Sequence, residues 1–143
     1  MPGSSTSPAN PGPKPTPKPD GTGIEGVPVN QLSGNLKPAF FDYDKADLRA
    51  DARDVLAADA TWLKAHPTVV FTIEGHCDER GTSEYNLALG ERRAKAATEF
   101  LNQLGISAER MTIVSYGKER PLQQGTGEAS WSKNRRDEFK IQN

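Results

Sequence analysis

Val69-Val70-Phe71-Thr72-Ile73-Glu74 is the stretch that most restricts what this chain can become. Its residues are β-branched or aromatic, and alternation puts Val69, Phe71 and Ile73 on one face and Val70 and Thr72 on the other. A strand this apolar on both faces has to be covered on both, so the pattern predicts a central strand. It runs straight into a turn dense with charge, Gly75-His76-Cys77-Asp78-Glu79-Arg80-Gly81-Thr82, and from there into an amphipathic helix. Polar groups from a strand end, a turn and a helix can therefore converge on one ligand.

The flanking segments supply the partners that such a strand needs. Ala39-Phe40-Phe41 predicts a short strand that ends in the acidic turn Asp42-Tyr43-Asp44-Lys45-Ala46-Asp47. Residues 50–66 predict a helix with Ala52, Val55, Leu56 and Leu63 near one stripe and Arg53, Asp59 and Lys64 solvated; Pro67 stops it. A second helix is predicted from residue 83 or 84 to 104, with Thr82 or Ser83 as N-cap and Gly105 as terminator. Its expected core side is Leu89, Ala96, Ala97, Phe100, Leu101 and Leu104, while Asn86, Gly90 and Arg93 share another strip. Gly90 is a poor helix former and leaves room for a backbone or a ligand to approach.

Residues 111–116 predict a third strand. Residues 122–133 read as a polar loop anchored by Trp131, and Asn134-Arg135-Arg136 leads into a last strand through Phe139 and Ile141, where Asp137 is expected to fray the start. Strand, helix, strand, helix, strand, loop, strand is an α/β (α+β) sandwich: a βαβαβ-β chain forming a mixed four-stranded sheet with helices packed on one face.

Residues 1–35 contrast with the rest. They are rich in Pro, Gly, Ser, Thr and Lys, and the alternating prolines from Pro11 to Pro19 favour an extended, disordered tether, leaving residues 36–143 as the folded domain. The start lacks the charge and apolar centre of a signal peptide, and no apolar run is long enough for a transmembrane helix. A formal net charge of -1 gives no electrostatic case for nucleic acid. The single cysteine, Cys77, rules out an internal disulfide, and no zinc-module spacing is present.

The acids invite catalytic and metal readings, and both fail on spacing. With Asp42 at the first position of a calcium loop, Asp47 stands where glycine is needed and Arg53 replaces the bidentate glutamate. His76 and Cys77 are adjacent on a strand and point apart, so they do not form a metal site with Asp78. Glu74, Asp78 and Glu79 could resemble a glycosidase acid pair, but no nucleophile constellation accompanies them, and a carboxylate beside arginines stays ionised. Neither an enzyme nor a cofactor is expected.

Binding chemistry fits better. A carboxylate such as Asp78 takes an ammonium, and a guanidinium such as Arg93 grips a carboxylate through parallel N–H contacts, which matches the two ends of an amino acid. The plain alternative is that these groups pair with each other or with solvent. Against it, Asp44, Asp78, Asn86, Arg93 and Arg136 all fall at turns on what should be one edge of the sheet, where α/β folds tend to bind ligands. Strand alternation leaves open which of Arg135 and Arg136 faces that edge.

Phe41-Asp42-Tyr43-Asp44-Lys45, Glu74 through Thr82, Tyr85-Asn86, Leu89-Gly90-Glu91-Arg92-Arg93-Ala94, Ser115-Tyr116-Gly117-Lys118-Glu119 and Lys133-Asn134-Arg135-Arg136 resemble, in order, the OmpA-like peptidoglycan-binding domain and, within it, its lipoprotein branch. The resemblance covers residues 39–141. It implies non-covalent binding of the meso-diaminopimelate side chain of a peptidoglycan stem peptide, with Asp78 on its ammonium and Arg93 on the carboxylate of the same stereocentre. It places Asp44, Asn86 and Arg136 around that pair and gives Arg80 a lesser contact. It also implies a lipidated N-terminal cysteine in the outer membrane, which this chain lacks, a periplasmic location, and TolB and TolA as partners in the Tol-Pal system. Cys77 departs from the small alanine or threonine usual there and is expected to act as a small buried hydrophobe.

Overall fold

The computed structural model describes residues 35–142, together with the backbone of residues 22–24 and 27–28. Within the stretch read as a tether, β1 (Thr22–Ile24) and β2 (Val27–Pro28) pair antiparallel; the rest of that stretch before Asn35 lies outside the described residues. The elements that follow are β3 (Ala39–Phe40), α1 (Ala50–Ala65), β4 (Phe71–His76), α2 (Ser83–Gln103), a 3-10 turn (Ala108–Arg110), β5 (Met111–Gly117), α3 (Glu128–Asn134) and β6 (Arg136–Ile141). The main sheet runs β3-β6-β4-β5, with β4 parallel to β5 and antiparallel to β6, and β6 antiparallel to β3. This is the expected mixed four-stranded sheet with helices packed against it, and β4 is an inner strand.

Register decides which side chains meet the helices. Phe71, Ile73 and Gly75 of β4 stand opposite Ile141, Phe139 and Asp137 of β6, and Ala39 of β3 is paired with Asp137. Phe71, Ile73, Phe139 and Ile141 join Leu56 and Leu63 of α1 and Ala94, Ala97 and Leu101 of α2 in one buried core. Each fully buried leucine, isoleucine or phenylalanine there contributes about 1.5–3 kcal/mol, which outweighs the exposed ion pairs. The inner stripe of α2 uses Ala94 where Ala96 was expected, and Phe100 and Leu104 lie only partly buried against it.

Backbone contact brings α2 down onto β4. A Cβ placed on Gly75 would lie 1.9 Å from the Gly90 carbonyl oxygen, and one on Gly90 would lie 2.3 Å from Ser115 Oγ. Helix and strand can touch this closely only because neither residue has a side chain. The helix starts at Thr82, whose hydroxyl accepts from Tyr85 N at 3.1 Å, and Gly105 follows its end at φ 105°.

Three expectations need correction. Asp59 is not solvated: it is 2% exposed, and its Oδ1 accepts from Lys37 N at 2.9 Å. Residues 122–133 are not all loop, because α3 begins at Glu128; its turns are held by Ser130 N and Trp131 N donating to Gly127 O. Asp137 does not fray β6. It is wholly buried within the ladder, since opposing residues on two neighbouring strands hold its backbone in place.

Two arginines brace the ends of β4 in the same way. Arg110 donates to the carbonyls of Val69, Leu63 and His66 at 2.9, 2.9 and 2.7 Å, tying the strand's beginning to the end of α1. Arg93 does the same at the other end, beside the charged turn.

Candidate ligand site

The close contact of Gly75 with Gly90 sets the geometry here. Asn86 lies one turn before Gly90 on α2 and Arg93 just under one turn after it, so both side chains reach the end of β4. A small pocket of about 40 Å3 opens there, lined by Tyr43, Asp44, Cys77, Asp78, Arg80, Gly81, Tyr85, Asn86, Leu89 and Arg93. The structure thus brings five of the six sequence-derived residues together: Asp44, Asp78, Arg80, Asn86 and Arg93.

Arg93 is 1% exposed and spends three N–H groups on backbone: Nε on Lys45 O at 2.8 Å, Nη1 on His76 O at 2.9 Å and Nη2 on Asp42 O at 3.0 Å. A guanidinium has five N–H donors, so two remain for other acceptors. Burial lowers its pKa from the ordinary arginine value, against the nearby Cys77, Asp137 and Asp78. Arg93 therefore binds the β3–α1 turn to the strand end while still facing the pocket.

Asp78 is 4% exposed, and both of its oxygens are occupied. Oδ1 accepts from Arg80 N at 3.0 Å and Arg80 Nε at 3.2 Å, and Oδ2 accepts from Arg80 Nη2 at 2.8 Å. Arg135 Nη1 stands 3.6 Å from Oδ2. Burial pushes the carboxyl's pKa up, but the Arg80 hydrogen bonds and the charges of Arg80 and Arg135 outweigh it and hold it below the ordinary value. The Asp78 site is a buried, ionised carboxylate.

The remaining residues shape the rim. Asn86 Nδ2 donates to Arg80 O at 2.8 Å, fixing the turn, and Asp44 accepts from the Tyr85 hydroxyl while sitting at φ 58°. Arg80 lies between two rings, 3.7 Å from the Tyr43 centroid and 3.8 Å from that of Trp131. Trp131 in turn donates from Nε1 to Glu79 Oε2 at 2.9 Å. Cys77 faces α2 and donates Sγ–H to Asn86 O at 3.3 Å, and burial pushes its thiol up to about 11.

Arg136 does not join this group. It lies opposite His76 in the β4–β6 ladder, on the other face of the sheet, where it pairs with Glu138 and donates to Asn134 O at 3.3 Å. His76 is packed there, Nε2 on Glu74 at 3.1 Å and its ring stacked on Tyr116. Arg135 is the arginine on the pocket side. Its Nε donates to Phe41 O at 2.8 Å, and its two terminal nitrogens grip Glu128 at 3.2 and 2.7 Å. Sequence reasoning leaves Arg135 and Arg136 undecided, places Asp137 at a frayed strand start and passes over Glu128; the strand alternation that separates 135 from 136 is visible, but not its phase. Among the described residues, no group of three histidine, cysteine, aspartate or glutamate side chains could hold a metal ion.

Residues 40–135, which hold this carboxylate and most of the sheet around it, match the OmpA family, and the chain belongs to it. The family is a non-enzymatic one, in keeping with the reading of the sequence. Over 97 residues the chain is 52% identical to the peptidoglycan-associated lipoprotein of Brucella melitensis, covering 68% of this chain and 58% of that one. It is 50% identical over 101 residues to the protein of the same name from Pseudomonas aeruginosa, covering 71% and 60%. The crystal structure of the peptidoglycan-associated lipoprotein from Burkholderia pseudomallei superposes with a TM-score of 0.71 at 43% identity, over 74% of this chain and 90% of that one. The chain spans about 58% of the Brucella relative's length. No described helix is long and apolar enough to cross a membrane.

Proposed function

We propose that this domain binds peptidoglycan non-covalently through the meso-diaminopimelate of the stem peptide. The observation that carries the reading is the pairing of opposite charges in one pocket: a buried, ionised Asp78 and a buried Arg93 with N–H groups to spare. Asp78 receives the side-chain ammonium of diaminopimelate, and Arg93 receives the carboxylate on the same carbon. Asp44, Arg80 and Asn86 shape the mouth, and Arg135 rather than Arg136 supports the Asp78 carboxylate from beside the pocket. The names of the relatives, each a peptidoglycan-associated lipoprotein, support peptidoglycan as the polymer bound.

On this reading the native protein is anchored by lipid to the periplasmic side of the outer membrane. Residues 1–35 act as the spacer and residues 36–143 as the wall-binding domain, linking the membrane to the wall within the Tol-Pal system, with TolB and TolA as partners. Calorimetric titration with two stem peptides tests the ligand assignment. The diaminopimelate peptide is expected to bind, and the lysine peptide, which lacks the side-chain carboxylate, to bind much more weakly. Equal affinities would remove the assigned role of Arg93.

A further inference from the structure

The carboxylate assigned to the ligand's ammonium is not vacant. Arg80 Nε and Nη2 lie on the two oxygens of Asp78 at 3.2 and 2.8 Å, the geometry with which a guanidinium fills a carboxylate. The free space beside them is about 40 Å3, and the Asp78 side chain is only 5% exposed. A ligand can reach Asp78 only if something moves.

The partners of Asp78 differ in how easily they can leave. Arg135 is 6% exposed and is fixed by Phe41 O and by both oxygens of Glu128. Arg80 is 29% exposed in its side chain, and Asp78 is the only carboxylate it pairs with among the described residues. What keeps its guanidinium in place otherwise is the stack between Tyr43 and Trp131, rings on two separate elements of which Tyr43 is 53% exposed. Cation–ring contacts at exposed positions are weak enough to give way. The turn backbone is held independently, by Asn86 on Arg80 O and by Lys118 on Gly81 O at 2.6 Å. The Arg80 side chain can therefore swing out without the turn unfolding.

We infer that Arg80 is an internal stand-in for the ligand's ammonium and acts as a specificity filter: a ligand must displace it from Asp78 to bind. A lone ammonium gains little by this exchange, because it trades one ion pair for another. A ligand that also carries a carboxylate gains the contact to Arg93 and offers the released Arg80 an anion at the mouth. Arg80 thus biases the pocket toward zwitterionic ends and against simple amines. This inference rests on the diaminopimelate reading above.

The test compares wild type with Arg80→Gln, which keeps a long polar side chain and loses the charge, and with Arg80→Ala. Each is titrated calorimetrically with the diaminopimelate stem peptide and the lysine stem peptide. Both variants are expected to bind the first roughly three- to tenfold more tightly and the second by a larger factor, so that discrimination falls. Unchanged or weaker binding of the diaminopimelate peptide by both variants, with wild type still binding, overturns the filter and leaves the proposed function standing. Absence of binding by wild type and both variants overturns the proposed function and the filter with it. Circular dichroism of the variants checks that the fold is kept. In wild type, the Trp131 indole N–H resonance should shift on saturation with the diaminopimelate peptide, and a resonance that stays put while heat is released counts against displacement.

Discussion

Gly75 and Gly90 meet backbone to backbone: a Cβ on the first would lie 1.9 Å from the carbonyl oxygen of the second. This contact sets how deep α2 sits on the sheet and hence where Asn86 and Arg93 emerge. Gly75→Ala should cost about 3 kcal/mol or more, since rigid backbone has to retreat. Gly90→Ala should cost less, about 1–2 kcal/mol: the helix regains about 1 kcal/mol of propensity, while the new Cβ displaces Ser115 Oγ from its bond to Leu87 O and presses on Gly75 O at 2.9 Å, a milder backbone clash than the 1.9 Å one at Gly75. Urea denaturation of the two variants checks the order. A Gly75→Ala protein as stable as wild type would mean that the helix can slide freely.

Arg93→Lys conserves charge but not shape. A lysine cannot reach the carbonyls of Lys45, His76 and Asp42 at once, so at least one buried acceptor loses its donor. The expected loss is about 3 kcal/mol of stability. Diaminopimelate peptide binding should also fail. Retained binding in a folded Arg93→Lys protein would place the carboxylate contact elsewhere.

Asp59 predicts a pH dependence of stability. Burial raises its carboxyl from 3.8 to about 6, against the hydrogen bond from Lys37 N. The folded state then holds a proton that the unfolded state releases, so stability falls as pH rises from about 4 to about 6 and levels off above that. The full penalty is about 3 kcal/mol. Asp59→Asn keeps an acceptor for Lys37 and removes the ionisation, so it should be more stable than wild type at pH 8 and nearly equal at pH 4. Denaturation midpoints at the two pH values decide.

Cys77 should be inert in the folded protein. Its thiol is 3% exposed, bonded to Asn86 O and shifted by burial to about 11. At pH 8 a disulfide-exchange reagent should react only as fast as the protein opens, and fully in denaturant. Rapid labelling of native protein would show that the β4 end breathes.

The sheet, the two long helices and most of the pocket were legible because each rests on local signals: β-branched alternation, a threonine cap, a glycine stop. What was hidden depends on phase or on distant neighbours. Arg135 and Arg136 differ only in which face the β6 register gives them, and that register is fixed by β3 and β4. Asp137 reads as misplaced in sequence, and it remains unsatisfied in the fold: neither carboxyl oxygen has a hydrogen-bond partner, and burial raises its pKa well above the ordinary value despite Arg93. Asp59 lies on a face that looks polar until residues 36–39 cover it. The α3 helix, at seven residues, carries too little periodicity to detect.

The bond from Arg135 Nε to Phe41 O spans 94 positions of sequence, and Phe41 N returns a bond to Arg135 O at 2.9 Å. Arg135, which supports Asp78 at 3.6 Å, is thus fixed where the first and last strands of the main sheet meet, and loop-closure entropy makes such distant pairings late events in folding. Recognition becomes a property of the finished chain: a nascent or truncated polypeptide lacking β6 has the turn at Asp78 and the helix bearing Arg93 but no completed pocket. Ligand should consequently protect against global unfolding, and a protease that trims the C-terminal strand should abolish binding in a single cut.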